Sequence, residues 1–336
     1  MSESNFTSAA ILGSGSFGMA IAKLLAPKLE SILLIGRDAP TVDAINHGHR
    51  NPHYLSDVLL DDNVRSSMVI GDALAHPLIL FAVPTSATRE VALTLAAANL
   101  RPGTTLLSCA KGIEKSTGAR MSQVLREVFP HNPIAALSGP NHAEEIATGK
   151  ATCAVIGSDD HDLAVRLQDL FTFPNFRSYT SDDLAGIEFG GAVKNVYAIA
   201  AGMAHGLGLG DNAVAALVTR ALAEMTRLGV ALGGRMETFS GLSGVGDLIV
   251  TCFSQHSRNH RVGLALGSGK SLEEAVAALG MVAEGVPNTL SIHELARRVG
   301  VRTPIIDSVF AILYEGKSVP LAMKDLLTRD PRPEYS

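Results

Sequence analysis

Lys194 stands in an otherwise apolar, small-residue run, Glu188-Phe189-Gly190-Gly191-Ala192-Val193-Lys194-Asn195-Val196. A lysine in such company is either paired or able to shed its charge. An amine whose pKa falls toward neutrality can give and take a proton, so this position suits general acid–base chemistry; the plainer alternative is a surface lysine on a helix between domains. Three more clusters lie beside glycine or at the end of an apolar run. Gly244-Val245-Gly246-Asp247 sets a carboxylate after glycines, and Cys109-Ala110-Lys111-Gly112-Ile113-Glu114 offers a second amine. Ser257-Arg258-Asn259 supplies a planar guanidinium fork and an amide donor suited to a phosphate. Together the four predict one site between two halves of the chain.

A second chemistry is written in Gly13-Ser14-Gly15-Ser16-Phe17-Gly18, which follows an apolar run and precedes a helical pattern. Gly13 permits a tight turn, Gly15 lets backbone approach a pyrophosphate, and Gly18 lets helix and strand pack closely. The helix that follows turns free N–H groups and its positive dipole end toward the phosphates. This strand–loop–helix context predicts a dinucleotide. Roughly 20 residues on, where a ribose reader belongs, stands Gly36-Arg37-Asp38. A guanidinium there favours a 2′-phosphate and a carboxylate a free 2′-hydroxyl, so Arg37 predicts NADP while Asp38 leaves NAD open. A second edge for the cofactor is expected at Phe81-Ala82-Val83-Pro84.

The elements that must position these residues divide the chain in two. Short apolar runs at 9–12, 31–35, 78–83, 104–109, 134–137 and 152–156 read as strands buried on both faces, with amphipathic helices such as 86–99 and 118–129 between them. Such alternation predicts an α/β fold, a Rossmann-type doubly wound sheet. After the turn-rich stretch at 178–183 only helical periodicity remains, at 188–205, 213–232, 272–279, 288–299 and 304–314. The expected division is a dinucleotide-binding domain over 1–187 and an all-helical substrate domain over 188–336.

Composition narrows the function classes. The 336 residues carry a net charge of −5, with no Trp and 5% aromatic residues, which argues against a nucleic-acid surface or an anionic membrane partner. No run reaches the ~18 apolar residues of a membrane span, and residues 1–8 lack the features of a secretory leader. Three widely spaced cysteines, Cys109, Cys153 and Cys252, suit a reduced, cytoplasmic protein. His47, His49 and His53 read as a polar loop without carboxylate support rather than a metal site, so no metal is expected. His142 and His205 read as packing or rim histidines near the crevice, and Met203 and Met225 as core. The Ala- and Gly-rich helices would allow close pairing with a second copy, a homodimer.

Over residues 9 to 325 the chain resembles the bacterial-type NAD(P)-dependent glycerol-3-phosphate dehydrogenases. The likeness is carried by the glycine loop, Asn51 with Tyr54-Leu55, Lys111-Gly112-Ile113-Glu114 and Ser138-Gly139-Pro140. It continues through Glu188 to Asn195, Gly246-Asp247-Leu248, Ser257-Arg258-Asn259 and Glu284-Gly285. The resemblance implies reversible reduction of dihydroxyacetone phosphate to sn-glycerol 3-phosphate with NADP or NAD, feeding phospholipid synthesis. Carried over by position, Lys194 is the proton donor and acceptor, Asp247 and Asn195 orient it, and Lys111 is a second substrate lysine. Gly139, Ser257, Arg258 and Asn259 are implied substrate contacts. Ser16, Phe17, Arg37, Lys111, Ala143, Arg258, Val282 and Glu284 are implied cofactor contacts. Asn141 replaces the usual Ser or Thr of a substrate contact but keeps a hydrogen-bonding side chain. Phe17 replaces a usual Trp or Tyr, Ser56 a common proline, and Val286-Pro287-Asn288 is atypical.

Two competing readings remain at this level. One is a related reductase of another small carbonyl compound, of ketopantoate or 3-hydroxy acid type; a carboxylate substrate would not need the Ser257–Asn259 cluster. The other is a non-catalytic dinucleotide sensor, which would not need Lys194, Lys111 and Asp247 together.

Overall fold

The computed structural model describes residues 6–280, 282–328 and 333–334; part of the stretch 1–8 read for a secretory leader and the outer ends of both expected domains lie outside them. Eight strands form one sheet: β1 (Ser8–Leu12), β2 (Ser31–Ile35), β3 (Val64–Ser67), β4 (Leu78–Phe81), β5 (Thr105–Ser108), β6 (Ile134–Ser138), β7 (Thr152–Gly157) and β8 (Phe176–Ser181). Their order is β3-β2-β1-β4-β5-β6-β7-β8, parallel throughout except between β6 and β7. Leu12 pairs with Ile35 on one side and Phe81 on the other, so three strands end level. The strand order reverses at β1, and the crevice beyond such a reversal is where ligands of these sheets bind.

Helices α1 (Ser16–Leu25), α2 (Ala39–Gly48), α3 (Thr88–Ala97), α4 (Met121–Val128), α5 (Ala143–Ala147) and α6 (His161–Phe171) accompany the sheet. Alternating strand residues serve two cores. Ile11, Leu34 and Leu80 pack with Met19, Ile21 and Leu25 of α1, while Leu12, Ile79 and Phe81 pack with Leu95 and Leu125 from α3 and α4. Both faces are therefore covered, which is why these strands read as continuous apolar runs.

The two unexpected strands, β3 and β8, are the two edges of the sheet. Each is paired on one side only, and each alternates buried with exposed residues: Phe176 and Ser178 inward, Arg177 and Tyr179 outward. Polar residues on an edge hide the strand signal, so Ser178–Ser181, expected as part of a turn, belongs to β8. A second correction concerns the histidines. His47 lies in the last turn of α2 and His49 is its left-handed C-cap with φ +51°, leaving His53 outside the helix. Among the described residues no group of His, Cys, Asp and Glu could hold a metal ion.

From Leu184 the chain is helical: α7 (Leu184–Gly206), α8 (Asp211–Ala231), α9 (Met236–Phe239), α10 (Asp247–Phe253), α11 (Arg258–Gly267), α12 (Leu272–Ala277), α13 (Gly285–Arg298), α14 (Pro304–Tyr314) and α15 (Val319–Leu327). The first of these, 23 residues long, is buried from Gly186 to Ala204 as the core of this half, and a helix apolar on every side is a core helix. Met203 and Met225 pack there, as expected. Its closest neighbour is α11, and the approach is so near that a methyl group on Gly263 would collide with the Ile199 carbonyl oxygen. The N-terminal end of α7 is tied to the sheet half by Glu188. This buried carboxylate accepts from the Ser122 backbone N–H at 2.8 Å, the Ser122 hydroxyl at 2.5 Å and the Arg120 guanidinium at 2.6 Å. No helix among the described residues is long and apolar enough to cross a membrane.

Candidate active site

The loop after β1 has the shape a diphosphate requires. Gly13 adopts φ +115°, and a Cβ there would stand 2.7 Å from the Ala82 carbonyl oxygen. A Cβ on Gly18 would stand 1.9 Å from the Gly13 carbonyl oxygen, whereas one on Gly15 would meet nothing within 4 Å. The middle glycine therefore borders open space while its neighbours are packed. No side chain caps the first turn of α1, so the N-terminal amides at Ser16 and Phe17 remain available to an anion. Asn51, fully buried, shapes the loop from below. Its amide donates to the Ser14 carbonyl at 2.7 Å, and its oxygen accepts from the backbone N–H groups of His53 and Tyr54 at 2.9 and 3.1 Å. These features fit a dinucleotide. The sequence marks Asn51 as a motif residue, but its task appears only when residues 14 and 51 meet.

At the tip of β2, Arg37 is exposed. Asp38 is otherwise engaged: it caps α2, its Oδ2 accepting from the Thr41 N–H at 2.9 Å and the Thr41 hydroxyl at 2.5 Å. Those bonds from Thr41 hold its carboxyl below the ordinary range. The remaining expected cofactor residues come from several separate elements. Phe17 is half-buried against the core under the sheet. Ala143 opens α5 and is buried, Val282 is half exposed, and Glu284 accepts from the Thr85 N–H at 3.0 Å. That last bond joins the Phe81–Pro84 edge to the helical half; burial raises the Glu284 pKa.

Lys194 lies at the middle of α7 and is 4% exposed. Its ammonium donates to Asp247 Oδ1 and, at 2.8 Å, to the Thr251 hydroxyl. An ammonium has three donors, so one remains without a protein partner. A π-helical turn over Leu242–Gly246 delivers Asp247 to the first position of α10, where the helix dipole favours a negative charge. Thr251, one turn on, accepts from Lys194 and donates to the Asp247 carbonyl at 2.5 Å. The i, i+4 spacing of residues 247 and 251 is the signal that could have found it.

Lys111 reaches the same carboxylate from the sheet half, donating to Asp247 Oδ2 at 3.0 Å, to the Gly139 carbonyl at 2.7 Å and to Asn141 Oδ1 at 2.6 Å. All three of its donors are thus engaged. The electrostatics follow from burial. Desolvation lowers the Lys194 pKa, Asp247 raises it and Lys111 lowers it, leaving it at about 7. Desolvation alone would raise the Asp247 carboxyl, but Lys111 and Lys194 outweigh it and hold it below its usual value.

Two residues sit differently from expectation. Asn195, expected to orient Lys194, makes no hydrogen bond to it, because one helical step turns its side chain toward the sheet half. It donates to the Lys111 carbonyl at 3.0 Å, and its oxygen accepts from Asn259 at 2.9 Å. Asn259, expected on a phosphate, spends its oxygen on the Gly285 N–H at 2.9 Å and one donor on Asn195. These amides form a brace that fixes Lys111 and the start of α13. Asn288 joins it, donating to the Lys111 carbonyl at 3.1 Å. Ser257 caps α11, accepting from the His260 N–H at 3.2 Å. Arg258, at the helix's first position, is exposed and near Glu284. His205 is paired with His260, their ring nitrogens 2.8 Å apart.

A family model described as NAD-dependent glycerol-3-phosphate dehydrogenase N-terminus matches residues 8–164, and its C-terminus counterpart matches residues 183–324. A glycerol-3-phosphate dehydrogenase (NAD(P)+) of Desulfitobacterium hafniense (strain Y51) is 43% identical over 325 residues, covering 97% of this chain and 92% of that protein. One of the same name from Myxococcus xanthus (strain DK1622) is 45% identical over 330 residues, covering 97% and 98%. The crystal structure of glycerol-3-phosphate dehydrogenase (gpsA) from Coxiella burnetii is similar with a TM-score of 0.92 at 35% identity, covering 96% of this chain and 99% of that one.

Proposed function

The chain belongs to the NAD-dependent glycerol-3-phosphate dehydrogenase family, and from that premise we propose that it interconverts dihydroxyacetone phosphate and sn-glycerol 3-phosphate with Lys194 as the proton carrier. The observation that carries this reading is the buried Lys194–Asp247–Lys111 cluster at the junction of the two halves, with one Lys194 donor free and its pKa at about 7. We assign the dinucleotide to residues 1–187 and the substrate to residues 188–336 with Lys111 and the Gly139–Asn141 turn. A cytoplasmic setting suits the three free cysteines, and the product would enter glycerophospholipid synthesis. Pairing into a homodimer through the helical half is part of the same proposal.

In the reductive direction the C2 oxygen of the substrate gains negative charge, which the Lys194 ammonium neutralises before giving up its proton. Asp247 keeps that ammonium aimed and charged, and Thr251 fixes its remaining freedom. Lys111 adds positive potential at the same place. Bound NAD(P)H supplies the hydride. In the oxidative direction the neutral Lys194 amine takes the proton of the C2 hydroxyl. Ser257, Arg258 and the N-terminal amides of α11 hold the substrate phosphate; this remote binding aligns a three-carbon molecule.

The test is NAD(P)H oxidation with dihydroxyacetone phosphate, ketopantoate and acetoacetyl substrates in parallel. Turnover of the first alone is expected, and turnover of another without the first would overturn the assignment. Arg258→Ala should raise the KM for dihydroxyacetone phosphate roughly 10- to 100-fold, the worth of a charge-assisted hydrogen bond, with a smaller change in kcat. An unchanged KM removes Arg258 from the phosphate site. Because Asp38 is committed to Thr41, Arg37 is the group left to read the ribose, and NADP is the preferred cofactor in this proposal. Arg37→Ala is therefore expected to raise the KM for NADPH about tenfold and barely alter that for NADH; equal effects on both would count against it.

A further inference from the structure

We propose that the adjacent glycines of α7, Gly190 and Gly191, are positioning residues for Lys194: Gly190 seats the turn that delivers Asp247, Gly191 seats Lys111, and together they fix the spacing of the three groups. The inference rests on the reading of Lys194 as proton carrier and adds what holds its partners in place.

Glycine inside a helix loses more conformational freedom on folding than alanine does, so two in succession within a buried helix call for a physical reason. Residues of an α-helix advance by about 100° around its axis. Lys194, four positions after Gly190 and three after Gly191, therefore projects along the line between them, one turn further on. On the Gly190 flank lies the π-helical turn Leu242–Gly246. A methyl group at 190 would collide with the Ser243 carbonyl oxygen, so that turn rests directly on the helix backbone. The turn leads into Asp247, and its seat on α7 sets how near that carboxylate comes to the ammonium.

On the Gly191 flank lies Lys111. A Cβ at 191 would stand 3.4 Å from Lys111 Cγ and 3.7 Å from its Cβ. The Lys111 carbonyl is held one helical turn on by Asn195 at 3.0 Å, and its ammonium reaches Asp247 Oδ2 at 3.0 Å. The same added Cβ would stand 3.0 Å from Ser138 Oγ, and Ser138 precedes the Gly139 carbonyl that accepts from Lys111. Alanine at 191 would push Ser138 and the Lys111 stem away from α7, whereas alanine at 190 would push away the turn that carries Asp247.

These two displacements have opposite electrostatic signs. The titratable groups acting on Lys194 are Asp247 and Cys252 of α10, Lys111 of the sheet half and His142 at the head of α5. Burial pushes the Cys252 thiol up to about 12 and the His142 imidazole down to about 4, so both are neutral near pH 7. The charges that remain are those of Asp247, which raises the Lys194 pKa, and Lys111, which lowers it. Drawing Lys111 back therefore raises the Lys194 pKa, and drawing Asp247 back lowers it.

The experiment measures reductive kcat/KM against pH for full-length Gly190→Ala and Gly191→Ala with dihydroxyacetone phosphate and NADPH. The wild-type limb near pH 7 should move to higher pH in Gly191→Ala and to lower pH in Gly190→Ala. In each, kcat should fall about 10-fold or more, the cost of misaligned reacting groups, while the KM for NADPH stays within about twofold. The position of a limb does not depend on the folded fraction of a preparation, and alanine is the better helix former, so lost stability cannot imitate the shift. Ser138→Ala removes the atom nearest the new methyl group, and in that background the effect of Gly191→Ala should shrink several-fold. Limbs that stay in place or move in the same direction overturn the proposal, as does a loss in Gly191→Ala that Ser138→Ala leaves intact. Where Gly190→Ala yields no active enzyme, Gly191→Ala and its rescue decide alone. A limb that persists in Lys194→Ala is a different failure, which defeats the reading of Lys194 itself.

Discussion

Lys194→Ala is expected to lower kcat for dihydroxyacetone phosphate reduction by about 10³- to 10⁴-fold, the span of a lost general acid together with its charge. NADPH affinity should not change, because the glycine loop and Arg37 belong to the other half of the chain. The pH dependence has a definite sign. With the Lys194 pKa lowered by desolvation to about 7, the ammonium needed for reduction is lost as pH rises through 7, so reductive kcat/KM falls above that point. The amine needed for oxidation is gained over the same range, so oxidative kcat/KM falls below it. Lys194→Ala should abolish both limbs. Measured profiles for the two directions check this, and a variant retaining more than a tenth of wild-type turnover would defeat the assignment.

Replacing Asp247 with alanine should damage stability and catalysis together. The carboxylate is 1% exposed and is the counter-charge for two ammonium groups, one from each half of the chain. Its removal leaves two amines without their counter-charge, and the energy of that lost pairing is typically about 3–5 kcal/mol. Because Asp247 raises the Lys194 pKa, its loss should move the reductive limb to lower pH. Urea unfolding at pH 7 and the reductive pH profile give the two readouts. Adding Lys111→Met should restore part of the lost stability, since one of the two amines left without a counter-charge is then gone. An unchanged denaturation midpoint with an unmoved pH limb would show that the three groups are not coupled.

Much of this protein is legible one segment at a time. The glycine loop, the apolar strand runs and the Lys194 anomaly each depend on residues close together in the chain, where spacing alone carries the physics. Strands β1, β2 and β4 to β7 are visible because their central residues are buried on both faces and are apolar at successive steps. The edges β3 and β8 are not, because one-sided pairing permits Arg65, Arg177 and a run of Ser and Thr.

Single positions show the same boundary. A sequence can offer both Arg37 and Asp38 to a ribose, but only the turn into α2 decides that Asp38 is spent on Thr41. Asn195 and Asn259 look like ligands beside a lysine and an arginine, yet they bond each other across 64 positions. Lys111 and Asp247 are 136 positions apart and meet at 3.0 Å. Residue types and local periodicity determined the elements and the chemistry the chain can perform. Which polar groups are consumed in holding the fold, and which stay free to act on a substrate, was decided by tertiary structure, because hydrogen bonds and desolvation act through space and each donor can be spent only once.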